Sequence, residues 1–243
     1  MKTKVVVLSI ILVGIGFLVV SCTPSEPPTS SEIYLVVDVT ASAENKNHPL
    51  NLTAEKLTHL FELDTKPKSG VKYSQSIISE VHLNQEFSDE LEPVNPAKYN
   101  KYKRLPKIKK FVGKVENAVK ELENSEYDRE SSNIFIALSN IINKVAKNDA
   151  DRQLVIIQSD MLDNSFMFSA YDKGQMKKVA ESPTYLTELL EQHSPITQSL
   201  QKMRVIIVNQ PNAKTDYAFR LISERYKAYL QSKGATVEIV ANL

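Results

Sequence analysis

Four short runs of aliphatic residues restrict the fold of this chain more than any other feature of its sequence. They occupy residues 33–37, 154–157, 205–208 and 236–240, and none of the first three contains a charged residue. Uninterrupted runs of this length are typical of strands buried on both faces of a parallel sheet. Residues 71–81 alternate less regularly, which predicts one or two further strands nearer the sheet edge.

Helical patterns separate these runs. Apolar residues recur at helical spacing over residues 108–122, 134–145, 186–190 and 217–231, and an early helix is predicted over residues 52–63. Strands that alternate with helices predict an α/β fold. We expect a Rossmann-like three-layer sandwich, with a mostly parallel central sheet and helices on both faces.

Local signals predict some of the boundaries. Thr53 is a candidate N-cap, Pro106 stands where a first helical residue is expected, and Gly234 ends the last helix as a C-cap. Residues 83–105 contain two prolines, several acids and few apolar side chains, which predicts a long surface excursion. The polar residues 171–178 are predicted to form a solvated loop, and a loop that contacts a partner is the alternative.

The first 21 residues have the pattern of a signal peptide. Lys2 and Lys4 precede an uncharged, mostly aliphatic stretch over residues 5–20. As a helix this stretch reaches roughly 24 Å, which is shorter than the ~30 Å hydrocarbon core of a bilayer. It therefore predicts a cleaved signal rather than a permanent membrane span.

The end of that stretch, LVVSC at residues 18–22, resembles the lipobox of bacterial lipoproteins. The resemblance implies cleavage before Cys22 and multiple acylation of that cysteine. A single acyl chain binds a bilayer only marginally, so multiple acylation meets the requirement for a stable anchor. The alternative is ordinary secretory cleavage near Ser21, which leaves Cys22 as a free thiol.

These features divide the chain into three parts. We expect a lipoprotein signal peptide at residues 1–21, a lipidated cysteine with a flexible Pro- and Ser-rich tether at 22–32, and one folded domain at 33–243. Cys22 is the only cysteine, so the exported domain has no internal disulfide. No acidic run follows Cys22, which favours a lipid anchor that faces the periplasm of a bacterial cell envelope.

The charge of the chain argues against a nucleic-acid partner. Its 30 Lys and Arg against 29 Asp and Glu give a formal charge of +1, and loss of Lys2 and Lys4 with the signal peptide changes this to −1. A nearly neutral chain has no electrostatic footprint for nucleic acid. With six glycines it also has no glycine-rich phosphate loop.

Polar side chains follow the ends of two predicted strands. Asp38, Thr40 and Ser42 come directly after the first run, Asp160 follows the second, and Ser132 precedes a helical pattern. Ligands of open α/β sheets bind at the carboxyl ends of the strands, so we expect these five side chains to lie close together. Two carboxylates and three hydroxyls suit a hard divalent cation such as Mg²⁺.

This pattern resembles the metal-ion-dependent adhesion site (MIDAS) of von Willebrand factor A (vWA) domains. DVTAS at residues 38–42 matches the Asp-x-Ser-x-Ser motif, Ser132 matches the later threonine, and Asp160 matches the final aspartate. The likeness covers nearly all of residues 33–240. It implies that the hydroxyls ligate Mg²⁺, Mn²⁺ or Ca²⁺ directly and that the aspartates act mostly through water. An acidic side chain of a protein partner would complete the coordination.

Three positions depart from the family pattern. Thr40 stands where the family has serine, and Ser132 stands where it has threonine. Both keep a hydroxyl group as the ligand. Met161 stands where the family usually has glycine, which affects the expected loop shape more than the metal chemistry.

We expect a non-enzymatic, membrane-anchored module that binds a protein. The first alternative is a structural or assembly lipoprotein with the same fold and a degenerate site, in which Asp38 and Asp160 only cap loops. The second is an unrecognised hydrolase that uses Asp38 or Asp160. A phosphatase of the haloacid dehalogenase type would need an aspartate two positions after Asp38, where the chain has Thr40.

Overall fold

The computed structural model describes residues 27–38, 49–78, 86–124, 133–210 and 213–243. The strands in these ranges are β1 (Ser30–Asp38), β2 (Gly70–Ile78), β3 (Glu86–Leu91), β4 (Arg152–Gln158), β5 (Met203–Val208) and β6 (Thr236–Val240). The helices are α1 (Ala54–Leu60), α2 (Lys101–Asn124), α3 (Ile134–Ala146), α4 (Lys173–Glu181), α5 (Tyr185–His193) and α6 (Asp216–Ser232), with a 3-10 turn at Pro96–Lys98. No helix in the described ranges is long and apolar enough to cross a membrane.

The strands form one six-stranded sheet in the order β3-β2-β1-β4-β5-β6. All neighbours are parallel except β2 and β3, which pair antiparallel at one edge. The four aliphatic runs lie in β1, β4, β5 and β6. Residues 71–78 of the predicted segment lie in β2, the second strand from the edge, and residues 79–81 lie outside the described residues. The predicted α/β fold with a mostly parallel sheet is confirmed.

Each face of the sheet carries its own apolar core. Tyr34 and Val36 of β1 point towards the layer of α3, α4, α5 and α6. Ile33, Leu35 and Val37 point to the other side, where α1 and α2 pack. Alternate side chains of β1 are therefore buried on both faces, which is why this strand is an uninterrupted apolar run. Full burial of each such side chain stabilises the fold by roughly 1.5–3 kcal/mol.

The prediction that Pro106 begins a helix is wrong, because α2 starts at Lys101 and Pro106 lies inside it. Asn100 provides the earlier start: its side-chain oxygen accepts a hydrogen bond from the Lys103 N–H at 3.2 Å. Pro106 then falls in the second turn. Because proline has no backbone N–H, the helix lacks one hydrogen bond at this position.

Arg104 anchors the first turn of α2 to the rest of the domain. It is 3% exposed, and its guanidinium donates to the carbonyl oxygens of Pro67, Glu92 and Ser69 at 2.7, 2.8 and 2.6 Å. Burial lowers the pKa of Arg104. Three carbonyl acceptors compensate for the burial of this charged group.

The predicted surface excursion over residues 83–105 is wrong where it contains β3. This edge strand packs only one face: Leu91 is buried and Phe87 half-buried, while Ser88 and Glu90 are exposed. The predicted loop over residues 171–178 is also wrong, because α4 starts at Lys173.

The predicted start of the folded domain at residue 33 is three residues late. β1 begins at Ser30, whose N–H and hydroxyl both donate to Asp151 Oδ2, at 2.7 and 3.0 Å. Glu32 is 4% exposed and accepts from Asn148 Nδ2 at 2.6 and 2.7 Å. Residues 30–32 are therefore part of the sheet and not of the tether.

Candidate functional site

The candidate site lies at the carboxyl ends of the parallel strands, where the strand order reverses between β1 and β4. We call this end of the sheet the carboxyl edge. Asp38 is the last residue of β1 and is fully buried. Ser159 and Asp160 follow β4 directly; Ser159 is buried and Asp160 half-buried. The Ser159 hydroxyl donates a 2.8 Å hydrogen bond to Asp38 Oδ2, which ties the ends of the two strands together. In open α/β sheets this reversal is the position at which ligands bind.

The loop after β4 turns back at once. The Met161 N–H donates to Ser159 Oγ at 2.9 Å, and the Leu162 N–H donates to Asp160 Oδ1 at 3.0 Å. Met161 has a φ of 58° and a fully buried side chain. The loop thus keeps the left-handed turn that glycine adopts most easily, at a cost of roughly 1–2 kcal/mol for a residue with a side chain.

The structure brings Asp38 and Asp160 to this one edge. Burial raises the pKa of Tyr171, and the negative charges of Asp160 and Asp38 raise it further, so both carboxylates act on this one hydroxyl. The other predicted site residues lie outside the described residues: Thr40, Ser42, Ser132 and the lipidation candidate Cys22.

A third carboxylate, Asp163, belongs to the same edge and was missed from the sequence. It is fully buried, and its Oδ2 accepts a hydrogen bond from the Phe135 N–H at 3.0 Å. Asp163 therefore caps the first turn of α3, the helix that Ser132 precedes. The only local signal was its position five residues beyond the end of β4, which does not reveal the cap.

Burial raises the pKa of Asp163 to about 6, and the negative charge of Asp38 adds to this rise. The Ser165 hydroxyl and the N–H groups of Phe135 and Ile134 act in the opposite direction. The Ser165 hydroxyl itself donates to the Phe168 carbonyl, and Asp163 Oδ1 has no well-aligned donor among the described residues. No cationic side chain of the described residues contributes to this shift.

Carboxylates alone do not complete a metal site here. Within the described ranges, no group of three or more His, Cys, Asp or Glu side chains is arranged to hold a metal ion. Binding at this edge therefore requires neutral oxygen ligands beside Asp38 and Asp160. Hydroxyl groups are the type of ligand that Mg²⁺ accepts, and they are the type that the sequence predicts.

A groove of about 500 Å³ lies on the sheet face beside α1. Four of its charged side chains are paired: Arg204 makes two 2.8 Å hydrogen bonds to Glu238, and Arg152 lies 3.3 Å from Glu62. Because these four charges compensate one another, the groove carries less uncompensated charge than the carboxyl edge.

Comparisons with known proteins give no family for the chain. No family model and no curated protein matches it. The PilB minor pilin from Streptococcus sanguinis and a point mutant of it are 9% and 10% identical, with TM-scores of 0.48 and 0.47; the matches cover 90% and 89% of this chain and 58% of the pilin.

Proximal thread matrix protein 1 from the mussel byssus is 14% identical with a TM-score of 0.39, over 88% of this chain and 42% of that protein. The chain thus spans less than two thirds of each of these proteins. At TM-scores below 0.5, these likenesses establish neither a family nor an activity.

Proposed function

We propose that this chain is a lipid-anchored, extracytoplasmic binding module of the vWA type, which engages a protein partner through a metal ion and catalyses no reaction. The observation that carries the proposal is the 2.8 Å hydrogen bond between Ser159 and Asp38. It joins the carboxyl ends of β1 and β4, the two strands whose following residues supply the predicted aspartates. The acidic character of this edge gives further support.

Each part of the edge has a role in this proposal. Asp38 and Asp160, with the hydroxyls of Thr40, Ser42 and Ser132, would hold Mg²⁺, Mn²⁺ or Ca²⁺. The bound ion supplies an open position for an acidic side chain of the partner.

Two buried residues support these ligands. Ser159 fixes one oxygen of Asp38, so this carboxylate keeps one orientation. Asp163 holds the start of α3 through the Phe135 N–H, three residues after Ser132 in the sequence. In metal sites, hydrogen bonds from neighbouring residues of this kind orient the side chains that bind the ion directly.

A thermal unfolding experiment tests the metal. Millimolar Mg²⁺ or Mn²⁺ is expected to raise the melting temperature of the native protein, by an amount that corresponds to about 2.7 kcal/mol when the ion is at 100 times its Kd. The shift is expected to disappear in Asp38→Asn and to persist in Asp149→Asn, whose side chain is fully exposed. If no ion shifts the native protein, or if both variants keep the shift, the metal site is wrong.

Cell fractionation tests the anchor. The native protein is expected in the membrane fraction with an acylated Cys22, and Cys22→Ser is expected to carry no acyl chain. A native protein in which Cys22 is a free thiol would contradict lipid anchoring.

The local hydrogen bonds favour one alternative, a structural or assembly lipoprotein without metal. Asp160 already accepts from the Leu162 N–H, and Asp38 accepts from Ser159, as residues that only cap loops would. In this case a partner retained from solubilised membranes would stay bound in the presence of a chelator. A metal-dependent partner would be released.

A further inference from the structure

Three exposed aromatic side chains lie in segments that follow β4 and β5. Five large apolar side chains of the described residues are exposed; Tyr102 and Leu105 lie on α2, and the other three are Phe166, Tyr171 and Tyr217, at 81%, 67% and 72%. We call these three the aromatic rim. Single exposed apolar residues are normal on a protein surface, but a group of three at one edge indicates an interaction surface.

The fold places the rim at the carboxyl edge of the sheet. Phe166 lies in the loop between β4 and α4, and Tyr171 follows five residues later, where Asp38 and Asp160 act on its hydroxyl. Tyr217 lies in the first turn of α6, which follows β5, and β5 is parallel to β4. All three side chains therefore lie in segments that follow the carboxyl ends of β4 and β5.

Phe166 is presented by an ordered turn. The Ser165 N–H donates to the Phe168 carbonyl at 2.9 Å, and a bridge between Asn164 and Ser169 closes the turn below. Met167 and Phe168 are buried, so they fill the interior and leave Phe166 at the tip. An aromatic side chain held in place before binding loses little conformational freedom on association, which is a property of interface anchors.

The charge beside the rim favours an acidic partner. The exposed residues of α4 include Lys173, Lys177 and Lys178, of which Lys177 lies 3.7 Å from Glu181. With the capping residue Asp172, residues 172–181 keep a net charge of +1. Lys173 lies two residues after Tyr171, so this positive charge begins at the rim. An acidic segment would be attracted to this surface and oriented on it.

We propose that the aromatic rim and the lysines of α4 form the docking surface for an extended, acidic segment of a protein partner that carries apolar or aromatic side chains beside its acidic residues. The role of one acidic side chain as a metal ligand rests on the proposed function, whereas the rim contacts do not. Three aromatic side chains at this exposure offer on the order of 300–500 Å², about half of what one partner contributes to a standard interface.

Selection from a library of random peptides displayed on phage tests this surface. The full chain, held in lipid nanodiscs with millimolar Mg²⁺, is expected to enrich peptides that combine acidic and aromatic residues. The chain contains no tryptophan, so enriched peptides carrying a tryptophan can be titrated by their own fluorescence. Phe166→Ser and Tyr217→Ser are each expected to weaken binding about tenfold or more, as the loss of an interface anchor does.

Tyr102→Ser is the matched control, because Tyr102 is 89% exposed and lies on α2. It is expected to bind the peptides as the native chain does. Unfolding midpoints of the three variants establish that each is folded. The docking surface is overturned if no acidic and aromatic peptides are enriched, or if the rim variants bind them with unchanged affinity.

Two further measurements separate the possible failures. If the rim variants lose binding to vesicles of phosphatidylcholine and phosphatidylglycerol instead, the rim contacts lipid and the protein segment is wrong. If peptide binding survives a chelator and Asp38→Asn but is lost in the rim variants, the docking surface stands and the metal proposal fails. If Mg²⁺ shifts the melting temperature and the rim variants bind normally, the metal stands and the docking surface fails.

Discussion

Replacement of Asp163 by asparagine should stabilise the protein at neutral pH. The asparagine side-chain oxygen can still accept the hydrogen bond from the Phe135 N–H. The variant no longer places an ionised carboxylate in a buried position beside Asp38. A rise of the pKa from 3.8 to about 6 corresponds to about 3 kcal/mol, since each pKa unit is worth about 1.4 kcal/mol.

The sign follows from proton binding. Between about pH 4 and pH 6 the folded protein keeps the proton of Asp163 while the unfolded chain releases it. The contribution of this group to the free energy of unfolding therefore falls as the pH rises through that window, and it is constant above about pH 7. The advantage of Asp163→Asn should be smallest near pH 4 and should grow to about 3 kcal/mol near pH 7.

Urea denaturation between pH 4 and pH 8, with divalent cations chelated, measures this difference. Carboxylates away from this edge titrate in both proteins and cancel in the comparison. If the difference for Asp163→Asn is constant to within about 0.5 kcal/mol across the range, Asp163 does not have a raised pKa and the electrostatic account of this edge is wrong.

Two further variants test the packing of the fold by urea denaturation at neutral pH. Arg104→Ala should lower the free energy of unfolding by about 3 kcal/mol or more, because three carbonyls lose a charged donor, whereas Lys103→Ala on the exposed face should have little effect; a loss below about 1 kcal/mol would contradict the anchoring role. Tyr226→Phe should leave the free energy of unfolding unchanged or raise it by up to about 2 kcal/mol, because the buried hydroxyl has no hydrogen-bond partner in the described residues. A clear loss of stability in that variant would mean that the hydroxyl is satisfied.

The sequence predicted those elements that are buried on two sides. β1, β4 and β5 are flanked by helices on both faces. Because side chains on both faces are buried, each of these strands is a continuous aliphatic run. β3 carries no such run because it pairs on one side only and packs one face. The sequence predicts a loop at α4 because Val179 is its only fully buried residue, and one buried residue produces no periodic stripe.

The candidate site was predictable to the extent that its residues follow strand ends. Asp38 and Asp160 could be selected because each comes at the end of an aliphatic run. Asp163 could not, because the group it caps is a backbone N–H of Phe135, 28 residues earlier in the chain. Backbone donors at a helix start leave no trace in residue types, so a cap of this kind becomes visible only when the helix and the loop are placed together.

The order of the strands explains why these separate features form one surface. The chain leaves β1 towards β2 and β3 at one edge, returns to β4 on the opposite side of β1, and continues outward through β5 to β6. This reversal brings Asp38 within hydrogen-bonding distance of Ser159, 121 residues later. It also places the loop that carries Phe166, and the first turn of α6, at the same edge. Because this order fixes which residues are neighbours, the acidic site and the aromatic rim are best tested as one surface, with variants that remove each part separately.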